Sequence, residues 1–349
     1  TKGEKGPRFL LKQNNQKFIR MNSNDYLGLS LDSRLIHAAD NAAHELGANP
    51  GGVRFICGTT KYHVEMEKRL AEFHKKEASK IFSCAYMANL GIAFALMNKE
   101  TFVISDELNH NSIVRAIRIA GVPKTNKAIF KHNDMQELEK VIEEIPDNIK
   151  RVIIIFDGVF SMRGDYAHMD KIMTIAKKYD DNFRDGVITI VDDCHGTAAY
   201  GKTGRGTSEI TDSMEVDVIT STLGKGFGAE GGYIASSNEV IEMVRQTSDT
   251  YIYTNPITPA GAASGITSVE IVDSKEGKKL LEKTKENADY FRNHIQEIGY
   301  ETIPGIHPIV PVLIRDTNKV NKLVKVLFDK GVLVTGIIYP VVPKVNENI

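Results

Sequence analysis

Two short stretches of this chain hold side chains that can do covalent chemistry. Thr222-Leu-Gly-Lys225-Gly-Phe-Gly sets an amine among glycines, and Asp192-Asp-Cys-His195 sets a carboxylate three residues from an imidazole. An amine forms a Schiff base with an aldehyde. A carboxylate in a low-dielectric interior keeps a pyridine nitrogen protonated, which makes that ring an electron sink for a carbanion. Glycines beside the lysine let the backbone pass close to a bulky planar group. Together Lys225, Asp192 and His195 fit pyridoxal phosphate chemistry, with His195 able to donate to the ring's phenolic oxygen. Taken singly, each also fits a humbler place: a loop lysine, a helix-capping acid, a satisfied core histidine.

Groups this far apart in sequence need elements that bring them together. Strand-length apolar runs at Lys80–Ser83, Thr101–Ser105, Val152–Phe156, Val187–Val191 and Val216–Ser221 alternate with helical spacing at His63–Lys75, Asp134–Glu144, Asp170–Tyr179 and Asn238–Gln246. That alternation predicts an α/β protein built on a mostly parallel sheet. In such sheets ligands collect at the carboxyl ends of the strands. The residues just past four of these runs bring His110, Ser161, Asp192 with His195, and Thr222 with Lys225.

Two glycine patterns invite other readings. Gly196–Thr203 matches a phosphate-binding loop ending in Lys202-Thr203, but Gly204 and Gly206 fall where its helix must begin, at about 1 kcal/mol each against helix. Gly226-Phe-Gly-Ala-Glu-Gly231 fits a dinucleotide fingerprint, but Gly232-Tyr-Ile-Ala-Ser reads as a strand and not as the helix that pattern requires.

A net charge of −1 over 349 residues gives no footprint for nucleic acid or anionic lipid, so the expected partners are small molecules. The 42% hydrophobic and 26% charged content excludes disordered and fibrous classes. Cys57, Cys84 and Cys194 lack metal or disulfide spacing, and the opening Thr1–Gly6 has no hydrophobic signal core. A reducing cytoplasm is the expectation, with no membrane span and no metal.

Seven strings, in order, carry a wider resemblance: Ser23-Asn-Asp-Tyr-Leu-Gly-Leu, Val53-Arg-Phe-Ile-Cys-Gly-Thr, Ile104-Ser-Asp-Glu-Leu-Asn-His-Asn-Ser, Asp157-Gly-Val-Phe-Ser-Met, Val191-Asp-Asp-Cys-His-Gly-Thr, Thr222-Leu-Gly-Lys-Gly-Phe-Gly and Tyr339-Pro-Val-Val-Pro-Lys. From about Asn22 onward the chain resembles the α-oxoamine synthases, enzymes that join an amino acid to an acyl-CoA thioester. The resemblance implies a fold-type I pyridoxal phosphate transferase: a mostly parallel central sheet with flanking helices, plus a smaller α+β domain. It divides the chain into 1–45, contributing to the small domain, 46–258, binding the cofactor, and 259–349, the C-terminal small domain.

It also implies roles. Lys225 would bind the cofactor covalently and then take the amino acid's α-proton. Asp192 would meet the pyridine nitrogen, His195 and Ser161 the phenolic oxygen, and His110 the ring face. Thr222 and the amides of Ala85 and Tyr86 would hold the phosphate, with Thr254 reaching it from the second subunit of a homodimer. Asn24 and Tyr26 would contact the amino acid.

Among family members, Val53–Thr59, Ile104–His110, Asn133–Glu139 and Tyr339–Lys344 look most like the enzyme joining glycine to acetyl-CoA, which gives 2-amino-3-oxobutanoate. Ser23–Ser30, His195-Gly-Thr and Lys225-Gly-Phe-Gly look more like 8-amino-7-oxononanoate synthase, which uses alanine and a pimeloyl thioester. The expectation leans to glycine and acetyl-CoA, with the oxononanoate synthase or an impaired regulatory relative as alternatives.

Departures from the pattern are Arg163 where a carboxylate is usual, Pro256 for a serine, and Cys194 for a smaller residue. The family's carboxylate-binding arginine would lie beyond Ile349, and a chain incomplete at its C-terminus is the expectation there.

Overall fold

Val152–Phe156 is five apolar residues in a row, and a strand with no polar face must be covered on both sides. In the computed structural model, which describes residues 2–3, 8–10 and 16–349, it lies inside a seven-stranded sheet, with strands on both sides. Parts of the Thr1–Gly6 string and of segment 1–45 fall outside the described residues. The strands are β1 (Ala78–Phe82), β2 (Thr101–Asp106), β3 (Lys127–Phe130), β4 (Arg151–Asp157), β5 (Val187–Asp192), β6 (Val218–Thr222) and β7 (Gly232–Ser236). Their order is β1-β7-β6-β5-β4-β2-β3, and only β7 runs against the rest.

Alternate residues of β4 serve opposite layers. Ile154 and Phe156 pack with Leu138, Ile142, Ile172 and Ala176 from helices Met135–Glu143 and Met169–Tyr179. Ile153 and Ile155 pack with Ala88, Ile92, Ile113 and Val244 from helices α1 (Ala85–Leu96), α2 (Asn111–Ile119) and Asn238–Thr247. A third core joins Ile81, Leu223, Phe227 and Tyr233 to helices Lys61–His74 and Pro259–Val272.

Outside the large sheet, strand Lys17–Arg20 pairs in parallel with Val332–Leu333, so early and late parts of the chain share a small sheet. Glu301–Thr302 and Val312–Leu313 form a second short pair. Among the described residues no helix is long and apolar enough to cross a membrane.

Candidate active site

Parallel pairing sets Asp157 at the end of β4 directly beside Asp192 at the end of β5. Both open into a cleft at the carboxyl edge of the sheet. Of the residues singled out from sequence, Ala85, Tyr86, His110 and Ser161 line this cleft, as do Asp192, His195, Thr222 and Lys225. Ser112, Asp157, Val159 and Cys194 complete the wall.

Asp192 is 5% exposed and held from two sides. Its Oδ2 accepts from Asn89 Nδ2 at 2.6 Å and its Oδ1 from the Cys194 N–H at 3.1 Å. Asn89 is fixed in turn, donating to Ser112 Oγ and accepting from Thr220 Oγ1. Two N–H donors, one on each oxygen, fix the orientation of this buried carboxylate.

His195 lies across the site with Nδ1 2.7 Å from Tyr26 Oη. Burial, then the neighbouring Lys225 charge, pushes it well below the usual histidine range, so the ring is neutral. Its carbonyl accepts from His307 Nε2 at 2.7 Å. His307 Nδ1 accepts from the Ile309 N–H, which assigns its single proton to Nε2. Burial holds His307 down to about 4, and Tyr26 and Tyr200 pack edge-on against it.

Helix α1 enters the site differently from its neighbours. Helices starting at Met135, Asn238 and Pro259 are capped by the side chains of Asp134, Ser237 and Thr258. The N-cap of α1 is Cys84, which makes no such bond, and Ala85 and Tyr86 face the cleft. A Cβ on Gly232 would stand 2.1 Å from Ala85 N, so glycine is needed for β7 to meet this helix start. Free amide donors at a helix start suit a phosphate. Helix α2 is capped by His110, whose Nδ1 accepts from the Ser112 N–H and lies 2.7 Å from Ser112 Oγ.

Other expectations fall differently. The Thr222 hydroxyl donates to Gly231 O and accepts from the Gly224 N–H, so it braces its own loop and must turn to reach an anion. Asn24 is exposed and absent from the cleft wall, its carbonyl accepting from the Tyr26 N–H. Thr254 also lies off this wall, donating to Thr250 O. Arg163 pairs with Asp165 at 2.7 Å, away from the cleft wall, and so its reversed charge is absorbed. Gly196–Thr203 forms turns, and only the four-residue helix Thr207–Ile210 follows, which is no phosphate loop. Gly226–Gly231 leads into β7.

Asn89, Asp157 and His307 were not anticipated as site residues. Asp157 stood in a quoted string, but nothing in the string marks its side chain as facing Asp192. Asn89 and His307 act across 103 and 112 residues, and no local pattern carries such information.

The pattern of the family described as aminotransferase class I and II matches residues 16–347. The 8-amino-7-oxononanoate synthase of Petrotoga mobilis is 38% identical over 95% of this chain and 82% of its own length. That of Thermoanaerobacter pseudethanolicus is 36% identical over 97% and 83%. Among solved structures, the serine palmitoyltransferase of Sphingomonas wittichii superposes with a TM-score of 0.89 at 26% identity, covering 97% of this chain and 82% of that one. A serine palmitoyltransferase from S. paucimobilis, solved with a bound pyridoxal phosphate–myriocin adduct, gives 0.89 at 26% over 98% and 83%.

These relatives correct the leaning toward glycine and acetyl-CoA, since curated relatives across nearly the whole chain are named as oxononanoate synthases. The strings behind that leaning were poor witnesses for a physical reason. Of Val53–Thr59, Ile104–His110, Asn133–Glu139 and Tyr339–Lys344, only His110 touches the cleft. The rest form a π-turn, a buried strand, a helix start and a loop, all off the cleft wall, so they do not report on what the cleft holds. A buried Asp192 held by two N–H donors, a lysine and an uncapped helix start around one cleft fit pyridoxal phosphate, and the chain belongs to the class I and II aminotransferase family, as a pyridoxal phosphate-dependent α-oxoamine synthase of fold type I.

Proposed function

We propose that this chain is an 8-amino-7-oxononanoate synthase, condensing alanine with a pimeloyl thioester and releasing carbon dioxide. The observation that carries the reading is the series of relatives of that name at 35–38% identity over 94–97% of the chain.

We assign the ring nitrogen to Asp192, the phosphate to the Ala85 and Tyr86 amides with a turned Thr222 hydroxyl, and the covalent link to Lys225. Once bound, pyridoxal phosphate supplies a cationic ring that accepts the electron pair left on the α-carbon. Asn89 and the Cys194 N–H hold the Asp192 carboxylate in place for the ring nitrogen. Lys225 Nζ, when not bonded to the cofactor, removes the α-proton. His110 covers one face of the cleft from its cap position on α2. His195 is neutral and locked by Tyr26, so it offers a hydrogen bond to a developing oxyanion without drawing a proton from solvent. Thr254, off the wall of its own cleft, is assigned to the phosphate of a second copy in a homodimer.

The test is a substrate matrix on cofactor-loaded protein: alanine, glycine or serine against pimeloyl or acetyl thioesters. Alanine with the pimeloyl thioester turns over at least about tenfold faster than the other pairs, a difference within reach of one or two methylene contacts. Preference for glycine with the acetyl thioester overturns the proposal.

A further inference from the structure

Asp157 and Asp192 are two buried carboxyls, register partners on adjacent parallel strands, opening into the same cleft. Their partners are unequal. Asp192 receives two N–H donors, one on each oxygen. Asp157 receives one: its Oδ2 accepts from the His110 N–H at 3.0 Å. Asp157 Oδ1 is buried with no partner among the described residues. Two adjacent carboxylates in low dielectric cannot both be charged without large repulsion, and the proton settles on the group with less help for its anion.

We propose that Asp157 carries the proton of this pair, as a neutral carboxylic acid that leaves Asp192 the sole anion for the ring nitrogen and positions His110 through its backbone N–H. The charged and titratable groups around Asp157 are Asp192 on β5, Asp106 on β2, and Lys225 and Cys194 at the cleft, with His110 on the loop above. Burial first, then the Asp192 charge, pushes Asp157 well above the ordinary carboxylate range; the His110 N–H and Lys225 pull the other way and do not cancel it. The unpartnered Oδ1 is the atom that bears the hydrogen. Asp157 is thus a positioning residue, and Asp192 the one that meets the cofactor; the inference rests on that assignment of Asp192.

An uncharged isostere should then pass almost unnoticed. Infrared difference spectra of wild type against Asp157→Asn, taken near pH 8 with and without cofactor, show a carboxylic-acid carbonyl band in wild type that the variant lacks. At that pH Asp193, which titrates at about 6, is ionised and does not contribute. Pyridoxal phosphate binds Asp157→Asn within about twofold of wild type, and binds Asp157→Ala about tenfold more weakly, because the His110 N–H loses its partner. No acid band in wild type, or a change beyond about tenfold in Asp157→Asn, overturns the inference. Should Asp157→Ala fail to fold, the asparagine variant alone decides. Unimpaired cofactor binding by Asp192→Ala, with the band intact, fails the Asp192 assignment instead.

Discussion

Asp192 and Asp193 are neighbours in sequence and equally out of water, yet they face opposite sides of the chain and do opposite work. Asp192 opens into the cleft with its two oxygens held by Asn89 and the Cys194 N–H. Asp193 points away from it and is saturated by protein: Oδ1 accepts from Thr207 Oγ1 at 2.6 Å, and Oδ2 from the Thr207 N–H at 3.0 Å. Its carboxylate is so closely wrapped that a Cβ on Gly158, Gly196 or Gly206 would come within 2.1 Å of one of its oxygens. One acid is placed to meet a ligand and the other is spent on the loop that carries it. Burial therefore does not separate a reacting acid from a structural one; what remains free around it does.

The sharpest way to break this contrast is to remove each acid in turn. Asp192→Ala lowers kcat by roughly 10³-fold, within the range that positioned charge and proton-transfer groups supply, while the melting temperature falls less than for Asp193→Ala, because Asn89 Nδ2 keeps Ser112 Oγ as a partner. Steady-state rates with the visible spectrum of bound cofactor check the first part, and calorimetry the second. Asp192→Asn is no gentler, because an amide must turn an N–H₂ toward either the Asn89 amide or the Cys194 N–H, both already donors.

Asp193→Ala does the reverse. It strands the Thr207 N–H and hydroxyl in a buried pocket and costs about 2–4 kcal/mol of stability, read by denaturant unfolding. The cofactor spectrum and kcat of the folded fraction stay within about threefold of wild type. A loss of kcat as large as that of Asp192→Ala would show that the two sides of the loop are one functional unit.

Some of this contrast could be read from sequence and some could not. Lys225, Asp192 and His195 were legible because each follows a buried apolar run, and such runs predict their own ends well: Val152–Phe156 became Arg151–Asp157. Strand Lys127–Phe130 was missed, being a four-residue edge strand whose Ile129 is 69% exposed. The opposite orientations of Asp192 and Asp193 follow from strand alternation, but the donors that decide their fates come from Asn89 and Thr207 on other elements. The leaning toward glycine fails for a related reason, since all of its strings but His110 lie off the cleft wall.

The titration of Asp193 sharpens the comparison further. Burial raises it from 3.8 to about 6, against its hydrogen bonds from Thr207. Between those values the folded chain keeps a proton that the unfolded chain has released, so stability is greatest below 3.8 and falls as pH rises through 6. The decline is at most about 3 kcal/mol. Urea midpoints from pH 4 to 7 record it for wild type and show a shallower slope for Asp193→Ala; parallel slopes would place the titration elsewhere.

The smallest effect belongs to Tyr26, which reaches the Asp192 side of the loop only through His195. Its Oη lies 2.7 Å from His195 Nδ1, and both groups are neutral, because burial raises the phenol and lowers the imidazole, so a single hydrogen bond joins them. Tyr26→Phe keeps the ring that packs edge-on against His307 and removes only this bond. The fold is then undisturbed, and the His195 ring is free to turn and to accept a second proton more readily. The expected result is a kcat about fivefold lower, as for one hydrogen bond of about 1 kcal/mol, with the acid limb of the pH–rate profile moved upward. An unchanged acid limb would mean that His307, through the His195 carbonyl, holds the imidazole without help from the phenol.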